Sequence, residues 1–167
     1  MIPTVTQQLR AMRIRLEETV VPALPDEAGF AREQALLMMA TLDWVIDTHE
    51  HEYRYQVVEN HEYRRLVAAL GPGDPALADL LARPAPSPGD VAVPLAEIAE
   101  QNRLLKEFVA DTRESSAEDP AERERSHDLL TGVARRQRDR ELAWYRMTGF
   151  PGAQAGIAEV LDSAPRP

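Results

Sequence analysis

Apolar residues recur at helical spacing along almost the whole chain. Val5, Leu9, Met12, Leu16 and Val20 follow one another at steps of four, three, four and four. That pattern predicts one amphipathic helix, with Arg10, Arg13, Arg15, Glu17 and Glu18 on its wet side. A second segment covers residues 26–70, and between Gly29 and Gly71 it contains neither Gly nor Pro. A single helix over that length would measure roughly 65 Å at about 1.5 Å per residue. A compact domain of this size cannot cover such a helix, so it is expected to kink, to project, or to be covered by a partner.

Breaks punctuate the periodic segments. Pro22 and Pro25 stop the first, and Gly71 to Pro75 form a stop followed by a start. Asp74 is placed to cap a short helix over residues 76–82 with Pro75 in its first turn. Residues 83–94 hold Pro84, Pro86, Pro88, Gly89 and Pro94 and read as an extended linker. Beyond it Leu95, Ile98, Asn102, Leu105, Val109 and Thr112 alternate in steps of three and four. This is a heptad-like seam with one polar member, Asn102, of the kind that fixes register in a helical interface; the alternative is an Asn at the wet edge of the stripe. Asp119, Pro120 and Glu122 carry the capping-box signature of a further long helix to about Thr148. Ile157, Val160 and Leu161 mark a last amphipathic turn or two.

The expected fold is therefore all-α: a helical bundle of four main helices, one very long, plus two short ones, with no strand. The expected domain covers residues 1–162, with 83–94 as an internal linker and 163–167 as a disordered tail.

Composition narrows the function classes. Apolar residues make up 44% of the 167, which excludes a disordered chain. The most apolar stretch, residues 35–46, is too short to span a bilayer and is interrupted by Asp43. The N-terminus lacks a cationic start followed by an apolar run, so no secretory leader is expected. There is no cysteine, which removes disulfides, thiolate nucleophiles and Cys-based metal sites and fits a reducing cytoplasm. A net charge of −9 repels nucleic acid and anionic lipid on average. Lys106 is the only lysine, so Schiff-base chemistry would have to use it. Richness in Ala, Arg and Pro suggests a GC-rich bacterial genome.

Residues 47–65 hold His49, His51 and His61, and the word His-Glu-Tyr-Arg occurs at His51 and again at His61. A spacing of ten rotates the second copy by roughly 80° from the first, so the copies do not share a helix face. Bundles that bind transition metals use inward-facing Glu and His, with paired Glu-x-x-His words in di-iron proteins. One such word is present, Glu124 to His127, and with Asp47 and His51 it defines a candidate metal site. The alternative is a charged face laced with i,i+4 pairs. His49 continues the face of Leu42, Val45 and Ile46, and reads as a structural histidine more readily than as a general base. Arg135, Arg136, Arg138 and Arg140 form a positive patch, which suits an anion site or salt bridging to neighbouring acids. Phe30, Met38, Met39 and Trp44 are core residues or the lining of an apolar ligand pocket.

Residues 16–24 (Leu-Glu-Glu-Thr-Val-Val-Pro-Ala-Leu) followed by residues 30–42 (Phe-Ala-Arg-Glu-Gln-Ala-Leu-Leu-Met-Met-Ala-Thr-Leu) resemble the N-terminal half of a group of small helical bacterial proteins. Their genes often lie beside acyl-CoA dehydrogenase and aminoglycoside-phosphotransferase-like genes. The resemblance implies an accessory role beside such enzymes and transfers no catalytic residue.

The leading expectation is a non-enzymatic module that binds a partner protein or itself, with Leu95, Ile98, Asn102, Leu105 and Val109 as interface residues and no cofactor. A metal-binding bundle enzyme built on Asp47, His51, Glu124 and His127, and a carrier of a small apolar or acyl ligand, are the rivals. Neither nucleic acid nor membrane is expected as a partner.

Overall fold

A computed structural model describes residues 2–71, 73–87, 89, 93–114, 120–148 and 155–164. The helices run in the order α1 (Val5–Arg15), α2 (Val21–Ala23), α3 (Gly29–Thr48), α4 (Glu52–Leu70), α5 (Pro75–Ala82), α6 (Leu95–Glu114), α7 (Pro120–Trp144) and α8 (Ile157–Ser163). No β-strand forms among the described residues, so the protein is all-α. None of its described helices is long and apolar enough to cross a membrane.

Local chemistry explains the irregular joints. Leu16–Val20 is a π-helical stretch in which the Val21 N–H reaches back to the Leu16 carbonyl. Pro22 follows directly. Its ring cannot fit under the carbonyl four residues earlier, and the widened turn makes the room. The segment expected over 26–70 starts at Gly29 and passes through a 3-10 turn at His49–His51 before α4 begins. Two side chains compete for the carbonyls just before that turn: the Thr48 hydroxyl donates to the Trp44 oxygen, and His49 Nδ1 lies 2.9 Å from the Val45 oxygen. Such back-bonding draws the ladder away from regular i→i−4 geometry. The segment is thus helical from Gly29 to Leu70, as α3 and α4 joined through the 3-10 turn.

Termini follow the sequence signals where they are described. Thr4 caps α1 in a reciprocal capping box with Gln7. Asp74 Oδ1 accepts from the Ala76 N–H at 2.8 Å, with Pro75 in the first turn, as expected. Gly71 ends α4 at φ +85°, a backbone state that side chains with a Cβ rarely adopt. The proposed Asp119 cap, the side chain of Thr112 in the seam, and most of the expected tail lie outside the described residues.

The fold gathers into two compact units. Unit 1 comprises residues 1–50 and 141–157; unit 2 comprises 51–140 and 158–167. In unit 1, α1 runs antiparallel to α3. Thr6 bonds His49 and Glu50 at one end, and Arg13 Nε donates to Asp43 at 2.6 Å nearer the other. The 3-10 turn Arg146–Thr148 also lies on α3. Trp44 Nε1 donates to the Trp144 carbonyl at 2.9 Å, and the Trp44 ring stacks on Tyr145 with centroids 6.0 Å apart.

Unit 2 holds the main apolar core. Leu66 and Val67 of α4, Leu77 and Leu80 of α5, Leu105 and Val109 of α6, and Val133 of α7 pack together with their surfaces withdrawn from water. The α4–α6 pair is joined by buried polar groups as well. Asn60 Nδ2 donates to Asn102 Oδ1 at 2.9 Å. Asn102 Nδ2 reaches the Gln56 carbonyl and Glu59 Oε2. Lys106 Nζ lies 2.7 Å from Glu59 Oε1. Asn60, Asn102 and Glu59 each make at least one hydrogen bond to the facing helix, which eases their burial, while the Asn60 Oδ1 atom is left without a hydrogen-bond partner.

Candidate interaction surface

The distribution of exposed apolar side chains separates the two units. Twelve large apolar residues stand exposed among the described residues, and eleven of them belong to unit 1. Leu104 is the one in unit 2. Against this, the wholly buried apolar residues of unit 1 are Ala35, Met39, Ala143 and Ile157. Among the described residues, unit 1 therefore has more exposed large apolar residues than fully buried apolar ones.

The first half of α3 carries the densest part of that surface. Phe30 is 75% exposed, and Leu36, Leu37 and Met38 are 54–56% exposed. Ala35 and Met39 alone are buried there. At about 100° per residue, Phe30, Leu37 and Thr41 fall within roughly 40° of one another and opposite Met39. A helix that is apolar on all sides is normally covered on all sides. Near its start α3 meets the segment before it, through Arg32 and the Leu24 carbonyl, and the π-helical stretch Leu16–Val20 also packs on it. Towards its C-terminus the same helix is occupied: Asp43 holds Arg13, Asp47 holds Arg146, and Trp44 meets Trp144 and Tyr145.

Glu33 is the one acid among residues 29–42 and Arg32 the one base. Arg32 turns back to the Leu24 carbonyl. The outer strip of Phe30, Gln34, Leu37, Met38 and Thr41 thus carries charge only at its edge, where the exposed Glu33 stands four residues before Leu37. Thr41 adds no free donor, because its hydroxyl bonds the Leu37 carbonyl.

The residues singled out from sequence fall elsewhere. The seam of Ile98, Asn102, Leu105 and Val109 is buried inside unit 2 against α4, with Leu95 half-buried at its start. Asn102 does sit in a helical interface, but an internal one, and the seam is not open to a partner. Asp47 is engaged by the Arg146 guanidinium, whose Nε donates to Oδ2 at 2.8 Å and whose Nη2 donates to Oδ1. His51 is half-buried, and Glu124 and His127 stand exposed on α7. Among the described residues no group of three or more His, Asp or Glu side chains is disposed to hold a metal ion.

The arginine patch is engaged with acids. Arg136 Nε lies 2.5 Å from Glu62 Oε1, Arg140 Nη1 lies 2.6 Å from Glu62 Oε2, and Arg138 pairs with Asp139. Arg135 is exposed. An open hollow of about 330 Å³ beside Arg136 is rimmed by Glu62, Arg65 and Asp128 over a floor of Leu66, Leu129 and Val133. Its rim carries charges of both signs, unlike the elongated apolar cavity that an acyl carrier would need.

The histidine-rich stretch serves the fold. Both copies of His-Glu-Tyr-Arg clamp the end of a short helix through their arginine. Arg54 donates to the Leu161 carbonyl near the end of α8, and Arg64 to the Leu80 and Arg83 carbonyls at the end of α5. Cations suit those positions, where unpaired carbonyls concentrate. Tyr53 and His61 tie down the linker by donating to the Val93 and Pro86 carbonyls. Burial pushes the His61 pKa below its ordinary value, and Arg65 and Arg64 nearby add to that effect. His49 lies 3.2 Å from the Thr6 hydroxyl through Nε2 and turns Nδ1 to its own helix, a structural placement.

No family model matches the chain, and no curated protein or solved structure matches it either.

Proposed function

We propose that the protein is an interaction module whose working surface is the outer face of α3 in unit 1. One observation carries the reading: Phe30, Leu36, Leu37 and Met38 project more than half exposed from a helix whose buried side is only Ala35 and Met39 over the same turns. Covering the exposed part of each such side chain is worth roughly 1 kcal/mol or more. A protein partner that lays helices over this strip would gain that energy, with Glu33 as the one exposed acid beside it. The predicted seam on α6 cannot serve, because α4 already covers it.

Soluble monomers show few contiguous apolar patches of this kind, and those they show commonly mark contact sites. The resemblance of residues 16–24 and 30–42 supports an accessory role beside acyl-CoA or phosphotransfer enzymes, and those residues contain this strip. Support for a metal enzyme is weaker, because Asp47 is committed to Arg146.

The test is a photocrosslinking amino acid placed at Leu37 and, as a control, at Leu104. Irradiation in the producing cell is expected to yield a covalent adduct with a polypeptide from position 37 and none from position 104. Equal absence of adducts at both positions would count against the reading.

A further inference from the structure

We infer that the hollow between α4 and α7 in unit 2 is a binding site for a small zwitterion with an aliphatic body, the class of the apolar α-amino acids. Arg65 takes the carboxylate and Asp128 the ammonium group.

Each helix lends the hollow one face. Arg65 and Leu66 stand three and four residues after Glu62 on α4, and Asp128, Gly132 and Arg136 recur at steps of four on α7. The volume of about 330 Å³ lies at the small end of the range for ligand pockets. Leu66 and Val133 are buried beneath it, and Leu129 is half-buried. The floor is thus aliphatic.

The charges on the rim select the ligand. Glu62 and Arg136 neutralise each other at 2.5 Å. Arg65 and Asp128 remain, one from each helix, and both are exposed. Among the described residues Arg65 pairs with no acid and Asp128 with no base; Arg65 Nε donates only to the His61 carbonyl of its own helix. A zwitterion meets both free charges at once. A plain acid meets Arg65 but is opposed by Asp128, and a plain amine meets the reverse.

Gly132 is an independent sign that the space is kept open. It is the middle residue of the 25 in α7, where glycine weakens a helix relative to alanine. Packing does not require it. A Cβ there would meet Arg136 Nη1 at 3.6 Å, an ordinary contact with the end of a flexible side chain. The missing methyl instead widens the wall of the hollow.

Amide NMR titrations of the full chain test the inference with L-leucine, isocaproate (leucine without its amine) and isoamylamine (leucine without its carboxylate). L-leucine is expected to move the Arg65, Asp128 and Gly132 signals saturably. Each single-charge analogue is expected to bind about two- to fivefold more weakly, the worth of one exposed ion pair. Arg65→Gln should weaken leucine by the same factor and leave isoamylamine undiminished; Asp128→Asn should weaken leucine and leave isocaproate undiminished. Gly132→Ala should weaken leucine while raising the thermal midpoint, which separates loss of the site from loss of the fold. No saturable shift with leucine up to its solubility limit overturns the site. Isocaproate or isoamylamine binding as tightly as leucine overturns the zwitterion assignment. Leucine binding unmoved by Gly132→Ala and by both rim variants places the ligand elsewhere and overturns the inference.

Discussion

Glu62 and Arg140 meet at 2.6 Å in unit 2, and their side chains are only 4% and 2% exposed. Glu62 also holds the half-exposed Arg136. Removing one partner of a buried pair strands the other charge away from water. Glu62→Leu strands the buried Arg140 charge and is therefore expected to cost about 3–5 kcal/mol of stability, whereas Glu62→Leu with Arg140→Met should recover most of it. Urea unfolding of the single and double variants measures the difference. Equal losses in both would show that the pair itself stabilises the fold.

The Asn60–Asn102 contact predicts a similar asymmetry on a smaller scale. Asn102→Leu leaves the buried Asn60 amide and a Glu59 oxygen short of a partner. A loss of about 1–3 kcal/mol is expected from the unsatisfied groups. Adding Asn60→Leu removes one of them and should restore part of the loss. Thermal midpoints of the three variants check this.

Stability should fall as pH drops below the ordinary histidine range. Burial lowers the His61 pKa in the folded state, so the unfolded chain binds a proton first. The contribution of neutral His61 is fully present above the unfolded value of about 6.5 and is lost as pH falls towards the folded value. The His61→Gln variant should show a flatter pH dependence across that window, measured as urea midpoints from pH 8 downward. An unchanged slope would remove His61 as the source.

Trp44 joins α3 to residues 144–145 by one hydrogen bond and one ring stack. Trp44→Phe keeps a ring and removes the donor. A loss of about 1 kcal/mol is expected, together with a changed near-ultraviolet circular dichroism signal from the loosened aromatic pair. A native signal and midpoint would mean that the bond to Trp144 contributes nothing net.

The helical class was legible because apolar spacing and Pro/Gly punctuation act locally. The Asp74 cap and the short final helix both follow from adjacent residues. The 3-10 turn at His49–His51 was not legible from breakers, since it arises from Thr48 and His49 bonding their own helix. Burial of Glu59, Glu62 and Arg140 was equally hidden. Charge runs usually face water, and only the pairing of α4 with α6 and α7 turns these inward. The ten-residue offset did foretell that the two His-Glu-Tyr-Arg words face differently: Glu62 and Arg64 are buried, whereas Glu52 is exposed. For the candidate surface, the apolar run over 35–46 reads as core, because periodicity reports which residues are apolar and not whether a neighbour arrives to cover them.

Met38 and Met39 offer the most direct test of the central claim, that the outer face of α3 is covered in the working protein. Met38 is 56% exposed in the isolated chain, Met39 is 9% exposed, and Met12 on α1 is 53% exposed. Hydroxyl-radical footprinting in the producing cell, and of the purified Leu37→Asp variant, reads all three at once. Met38 is expected to oxidise slowly in the cell and as fast as Met12 in the variant, with Met39 slow in both. Met38 oxidising as fast as Met12 in the cell would contradict the account.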